Sequence, residues 1–200
     1  ANYSVNNRYF LTATLRRDGS SRFAPANRWG LFPSIALAWD LKEEGIFAKN
    51  ETLSTLKLRA SYGVTGQQDG IGNYDYYSYY ALSAPNAAYQ FGNSYYQGYR
   101  PGGFYANRKW EETASTNLAI DYGFWDGRVK GSVDFYVKKT KDLLNNIPQP
   151  AGSNFSAFIV ANVGSMENRG VEVELGYKKN WTDFGFSVNG NFSYLENEVT

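Results

Sequence analysis

The chain has 200 residues, of which 18% are aromatic, including 17 Tyr, and 20 are Gly. It contains neither Cys nor His, which excludes disulfide frameworks, Cys/His zinc sites and His-dependent nucleophilic catalysis. Lys and Arg number 20 against 19 Asp and Glu, so the net charge is +1 and no strong field attracts nucleic acid. We therefore expect no catalytic residues, no metal site, no cofactor and no nucleic-acid partner.

A period of two runs along the chain and predicts seven strands. Apolar side chains alternate with polar or small ones, as Trp29 and Leu31 alternate with Gly30 and Ser34. Phe32 is the exception in that strand, because it stands on the polar side. The predicted strands cover residues 8–16, 29–41, 56–65, 113–124, 128–138, 171–178 and 184–195.

Three features predict that these strands cross a membrane. Their length of about 9 to 12 residues matches what a tilted strand needs to span a bilayer. Aromatic residues such as Trp39 and Tyr122 stand near the ends of the apolar faces, where interfacial girdles form. Short connections, such as 125–127 with the Asp-Gly pair of a type I′ hairpin, alternate with long ones of about 47 and about 30 residues. The long connections, near 66–112 and 140–169, are expected to be extracellular loops.

The same sidedness assigns residues 17–28 to the long-loop side and 42–55 to the turn side, where 43–47 are predicted to form a short helical turn. The polar faces are predicted to line a wet lumen. Seven strands leave two open edges, and a sheet that spans a bilayer must close. The chain is therefore predicted to be all-β, with antiparallel strands forming part of a large transmembrane outer-membrane β-barrel.

Five segments resemble the SusC/RagA family of TonB-dependent outer-membrane transporters, in the family's order and at plausible spacing. They are LTATLRRDGSSRF at 11–23, NRWGLFPS at 27–34, LKLRASYGVTG at 56–66, KKTKDLL at 138–144 and NVGSMENRGVE at 162–172. The resemblance runs over nearly the whole chain, and only the loop 67–108 lacks it.

The resemblance implies that residues 1–200 are part of the β-barrel domain of such a transporter, in a barrel of about 22 strands with a plugged lumen. It implies location in the cell outer membrane, with lipid against the apolar faces. It also implies an N-terminal plug and a TonB-contacting segment, neither of which lies in this segment, and a SusD-like surface lipoprotein as partner. Family members import oligosaccharides or, in the RagA branch, peptides.

The long loop between Tyr74 and Tyr105 holds ten of the 17 tyrosines. Tyr suits the capture of sugars or peptides because its face packs on C–H surfaces while its hydroxyl forms hydrogen bonds. The alternative is that these rings pack on the loop itself or on the lipoprotein. The predicted ligand-binding residues are Tyr76, Tyr77, Tyr79, Tyr80, Tyr95, Tyr96 and Tyr99.

Other polar groups have simpler explanations than a site. Glu172 and Glu174 are read as part of a charge ladder in the barrel wall, and Lys57, Arg59 and Arg128 likewise, although these three are also candidates for contact with the plug. The run of Arg and Ser at 16–22 suits phosphate or lipopolysaccharide, but a turn with ordinary ion pairs explains it more simply. Asp69, Asn73 and Asp75 carry oxygen ligands for Ca²⁺ but fit no EF-hand spacing, so a solvated turn is preferred.

The predicted function is TonB-dependent import of oligosaccharides or peptides across the outer membrane. This segment is expected to supply barrel wall and extracellular loops that contact the ligand or the lipoprotein. One alternative is a passive porin or a surface glycan-binding barrel without energy coupling. Another is a soluble carbohydrate-binding module, whose apolar faces would form a packed core and which would not partition into detergent.

Overall fold

The computed structural model describes residues 1–150, 152 and 156–200, and an antiparallel sheet of eight strands dominates it. Its strands follow one another across the sheet in chain order, and three shorter two-stranded pairs lie in the connections. The sheet strands are β1 (Asn2–Val5), β2 (Tyr9–Gly19), β3 (Trp29–Asp40), β4 (Leu53–Gln67), β9 (Glu111–Phe124), β10 (Val129–Lys141), β13 (Ser165–Asn180) and β14 (Gly185–Val199). The pairs are β5 (Tyr80–Leu82) with β8 (Tyr99–Pro101), β6 (Ala88–Phe91) with β7 (Ser94–Gln97), and β11 (Leu144–Pro148) with β12 (Phe158–Asn162).

All seven predicted strands are present, and several are longer than the sequence indicated. The largest difference is β13, which begins at Ser165 and not at Val171. Its first six residues are mostly polar, yet they continue the ladder with β10 and carry a cross-strand ion pair between Lys139 and Glu167 at 3.0 Å. β1 was not predicted, because its four residues are too short to show a period.

One face of the sheet consists of large apolar side chains that no other part of the described chain covers. The strand register places Leu37 between Leu11 and Ala60, and Leu118 between Ala60 and Phe135. Leu37, Leu118 and Phe135 are all more than half exposed. A soluble domain buries such a surface, whereas the outer wall of a membrane barrel presents it to lipid. The packed core expected of a soluble module is therefore missing from this face.

The opposite face is polar, and the predicted charge ladder is present on it in part, at Arg59 and Lys57. The Arg59 guanidinium lies between two carboxylates, donating to Asp121 at 2.8 and 2.9 Å and to Asp134 at 3.4 Å. Lys57 pairs with Asp40 at 3.7 Å. Glu172 and Glu174 lie on the same face, opposite Asp134 and Ser132, and form no ion pair within the described part of the chain.

The two longest connections between neighbouring strands of the sheet lie at the same end of it. At one end lie residues 6–8, 41–52, 125–128 and 181–184; at the other lie 20–28, 68–110 and 142–164. In the turn at 125–128, Asp126 and Gly127 both have positive φ, and the Arg128 N–H donates to the Trp125 carbonyl, as a type I′ turn requires. The Arg128 carbonyl accepts a bond from the Lys178 N–H, so this residue lies at the turn side of the wall.

The helical turn predicted at 43–47 is observed as a 3₁₀ turn, Leu41–Glu43, and one α-helical turn, Gly45–Ala48. Glu44 between them accepts hydrogen bonds from the Tyr9 hydroxyl at 2.8 Å and the Trp39 indole N–H at 3.1 Å. These bonds lower the pKa of the Glu44 carboxyl and hold two girdle aromatics at the turn end of the apolar face.

No helix among the described residues has the length and apolar character needed to span a membrane.

Candidate functional site

The buried apolar cluster of the described residues lies at the loop end of the sheet. Phe23, Phe32, Ile71 and Trp110 form one buried cluster, in which the Trp110 ring lies 5.0 Å from Phe23 and 5.5 Å from Phe32. The members come from β3, from the connection 20–28 and from the connection 68–110. The cluster therefore fixes both connections to the polar side of the wall, at its loop end.

Phe32 enters this core because glycines adjoin its ring on both β3 and β4. A Cβ atom placed on Gly30 would lie 2.4 Å from the Phe32 ring, and one placed on Gly66 would lie 2.1 Å from it. Such contacts are shorter than any van der Waals separation, so a side chain at either glycine would displace the Phe32 ring from this position. Phe32, the apolar residue that interrupts the alternation of β3, is therefore a member of this buried cluster.

A buried arginine joins the two long connections. Arg108 is 2% exposed, and its Nε and Nη2 atoms donate to the Val160 carbonyl at 3.0 and 2.6 Å. Its Nη1 atom lies 3.5 Å from the Asp75 carboxylate. Burial lowers the pKa of the Arg108 guanidinium, and Asp75 acts in the opposite direction. A charge held this deeply is stable only with such partners.

Two asparagines complete what we call the loop junction, formed by Asn27, Asp75, Arg108, Val160 and Asn162. Asn162 accepts a bond from the Lys109 N–H at 2.9 Å and donates to the carbonyls of Lys109 and Asp142 at 2.9 and 2.8 Å. Asn27 donates to the carbonyls of Asn107 and Arg108, both at 3.2 Å. The junction therefore ties all three loop-end connections together.

The tyrosine-rich part of the loop projects from this junction as two short antiparallel pairs, β5–β8 and β6–β7, which we call the tyrosine arm (residues 80–101). Tyr80 lies opposite Pro101 and Leu82 opposite Tyr99, so Tyr80 and Tyr99 share one face. In the outer pair Tyr89 faces Tyr96, and Phe91 contacts Tyr96 edge-on at 5.9 Å.

The structure divides the predicted ligand-binding tyrosines into two groups. Tyr76 is only 9% exposed and packs on Tyr77 at 4.3 Å between ring centres, as the alternative of internal packing requires. The other six have rings that are about half exposed or more, and Tyr80 and Tyr99 are the most open, at 72% and 74%. The six are Tyr77, Tyr79, Tyr80, Tyr95, Tyr96 and Tyr99.

Of the three residues considered for Ca²⁺, Asp75 has partners within the protein. The Asp75 carboxylate accepts the Gly72 N–H at 2.8 Å as well as pairing with Arg108. Within the described ranges, no group of three or more Asp and Glu side chains is placed to hold a metal ion. Asp75 therefore contributes to the loop junction.

The sequence analysis did not identify the residues of the loop junction that connect the loop-end connections to one another. Asn27 and Asn162 begin two of the segments that resemble the transporter family, 27–34 and 162–172, but no pattern connected them to each other. Arg108 follows the tyrosine arm in an Arg-Lys-Trp sequence that carries no periodic signal. Its burial depends on Val160, 52 residues further on.

The comparisons with known proteins agree with this architecture. Residues 1–200 match the family described as TonB dependent receptor-like, beta-barrel. The chain is 45% identical to TonB-dependent receptor SusC of Bacteroides thetaiotaomicron over all of its length and 20% of that protein. It is 42% identical to TonB-dependent receptor P39 of Formosa agariphila over 98% of the chain and 18% of that protein.

A solved structure of the RagAB peptide transporter matches the whole chain with a TM-score of 0.85 and 30% identity, over 21% of its own chain. The chain thus spans about a fifth of the length of the curated relatives it matches. Exposed apolar wall, polar inner face and unequal connections are all features of outer-membrane barrels. The chain belongs to the TonB-dependent receptor-like β-barrel family and forms part of a large antiparallel barrel in the outer membrane.

Proposed function

We propose that this chain supplies wall and part of the extracellular mouth of a TonB-dependent importer of oligosaccharides. The observation that carries the proposal is the tyrosine arm, which stands exposed on a loop junction at the end of a wall with a polar inner face. Ligand binds first among the open rings of the arm. It then passes along the polar face once the plug is displaced.

The chemistry of the arm favours sugars. Tyr80 and Tyr99 lie on the same side of the β5–β8 pair and are largely exposed, so their rings offer flat surfaces for the C–H faces of pyranose rings and hydroxyls for hydrogen bonds. Arg100 is the only charged residue between 76 and 107, which suits a neutral ligand. No bond-making or bond-breaking step is assigned to this chain.

Peptides are the second candidate, because the solved RagAB structures that match the chain are of a peptide transporter. The same rings pack on peptide side chains. The similarity to SusC and RagAB also supports a SusD-like surface lipoprotein over the mouth. TonB and the plug act through parts of the importer other than these 200 residues.

The test is uptake by the full-length protein in cells that lack their own copy. Labelled oligosaccharides and peptides are offered to wild type, to Tyr80→Ala/Tyr99→Ala and to Tyr62→Leu. Tyr62 is the matched control, an exposed tyrosine on the apolar face of the wall. If each arm ring contributes about 1 kcal/mol, the double variant needs roughly 30-fold more ligand for half-maximal uptake, and the control is unchanged.

The outcomes separate the candidate functions. Loss of peptide uptake with sugar uptake unaffected would assign the mouth to peptides. Unchanged uptake of both ligands in the double variant would remove the arm from ligand capture. Uptake that persists in cells without TonB would identify a passive pore and contradict energy-coupled import.

A further inference from the structure

The loop end of the apolar face carries an arginine that is held in place by an aromatic ring. The Arg17 guanidinium lies 4.6 Å from the centre of the Trp29 ring. That ring in turn lies on Gly19, where a Cβ atom would come within 2.7 Å of it. Gly19 and Trp29 face each other across the β2–β3 ladder. Because residue 19 is glycine, the Trp29 ring can pack against β2, where it contacts the Arg17 guanidinium.

Arg17 differs from its neighbours in having no counter-charge. Alternation along β2 turns Arg16 and Asp18 to the polar face, where they pair at 2.7 Å. On the apolar side, Arg169 pairs with Glu196 at 2.7 Å and Lys139 with Glu167 at 3.0 Å. Within the part of the chain that the structure describes, Arg17 has no carboxylate partner. Arg17 is therefore a cation without a carboxylate partner beside an exposed apolar surface.

The position of Arg17 along the strand matches the membrane boundary. Eight residues separate it from Tyr9 in the turn-side girdle, which is about 26 Å along the strand at about 3.3 Å per residue. With a strand tilt of about 40°, this becomes about 20 Å along the membrane normal, close to the height of a barrel's apolar band. Leu31 lies directly opposite Arg17 across the β2–β3 ladder, and Leu15 lies two residues before Arg17 on β2, toward the membrane centre. Both leucines are more than half exposed.

We propose that Arg17, positioned by Trp29 and Gly19, binds the phosphate of an outer-membrane lipid headgroup, whose acyl chains lie on Leu15 and Leu31. A guanidinium donates two parallel hydrogen bonds to phosphate, and its attraction to the headgroup is strong at the edge of a low-dielectric layer. Lipid A and glycerophospholipids both supply such a phosphate. The site is on the outer surface and is separate from the ligand-binding mouth.

The experiment is native mass spectrometry of the full-length protein, delipidated and then mixed with one probe at a time: lipid A, phosphatidylglycerol or uncharged diacylglycerol. The variants are Arg17→Gln, Trp29→Leu and, as the matched control, Arg16→Gln on the polar face. Wild type and Arg16→Gln are expected to keep a phosphate-lipid adduct, which Arg17→Gln loses and Trp29→Leu weakens. Folding of each variant is checked by its heat-dependent migration on gels.

Each outcome decides something about the site. An adduct with lipid A that depends on Arg17 identifies lipopolysaccharide as the source, and one with phosphatidylglycerol identifies glycerophospholipid. Equal adducts in wild type and in folded Arg17→Gln would overturn the proposal. So would equal binding of diacylglycerol by the wild type, because the phosphate would then contribute nothing.

Discussion

Replacing Leu118 by lysine is expected to destabilise the full-length barrel by about 2–4 kcal/mol, the cost of a cation near the middle of a lipid-facing wall. Leu118 is 57% exposed and lies between Ala60 and Phe135 on the apolar face, near the middle of β9. The lysine side chain has no anionic partner there, and its ammonium group must desolvate or reach far along the strand to water. Loss of packing alone does not account for this effect, because the leucine is not buried in protein.

The neighbouring position is the matched control. Asn117 precedes Leu118 on the same strand but points to the polar face, where its amide donates to Asp134 at 3.4 Å. Asn117→Lys places the same charge beside a carboxylate in a wet lumen, and we expect a change within about 1 kcal/mol. Urea unfolding of both variants in lipid vesicles measures the difference. Equal destabilisation by the two lysines would contradict the assignment of lipid to one face and water to the other.

Arg108→Ala is expected to have the second largest effect on stability. It destabilises the loop junction and leaves the strands of the wall intact. The change removes two charged hydrogen bonds to the Val160 carbonyl and the ion pair with Asp75. Charged hydrogen bonds are worth about 1.5–3 kcal/mol each, and Asp75 remains partly solvated, so we expect about 2–4 kcal/mol of local destabilisation. Local opening of the connections 68–110 and 142–164 should become roughly 30-fold or more frequent.

Limited proteolysis and hydrogen exchange of the full-length protein measure this opening. Amides of β12, which carries Val160, should exchange faster in Arg108→Ala, whereas the strands of the wall should keep their protection. Arg100→Ala is the control, since Arg100 is an exposed arginine in the tyrosine arm. Cleavage at the wild-type rate in Arg108→Ala would show that the loop junction does not depend on this residue.

The wall was predictable from sequence because its physics is local and periodic. Each strand alternates between lipid and lumen, so the apolar pattern alone placed residues such as Leu118 and Asn117 on opposite faces. The pattern failed at strand ends. Ser165 to Gly170 belong to β13 through ladder bonds and an ion pair, neither of which leaves a period in hydrophobicity.

The mouth was much less predictable, because its contacts are long-range and polar. The burial of Arg108 depends on a carbonyl 52 residues away, and no local property of the sequence encodes that distance. The tyrosine content identified the aromatic loop, but it did not distinguish the buried Tyr76 from the exposed Tyr80 and Tyr99. Phe32 was recognised from the sequence as an exception to the alternation of β3. Its contacts with Gly30 and Gly66 were not predicted.

The tyrosine arm is expected to face the outside of the cell, and the short turns of the wall are expected to face the periplasm. The 200 residues contain no Cys, so single cysteines report sidedness without native competitors in this segment. Asn93→Cys at the tip of the arm and Asp126→Cys in the turn 125–128 are both exposed positions. Each is placed in the full-length protein and treated on intact cells with a membrane-impermeant maleimide. We expect Asn93→Cys to be labelled on intact cells and Asp126→Cys only after the outer membrane is permeabilised. Labelling of Asp126→Cys on intact cells, with Asn93→Cys protected, would contradict this orientation.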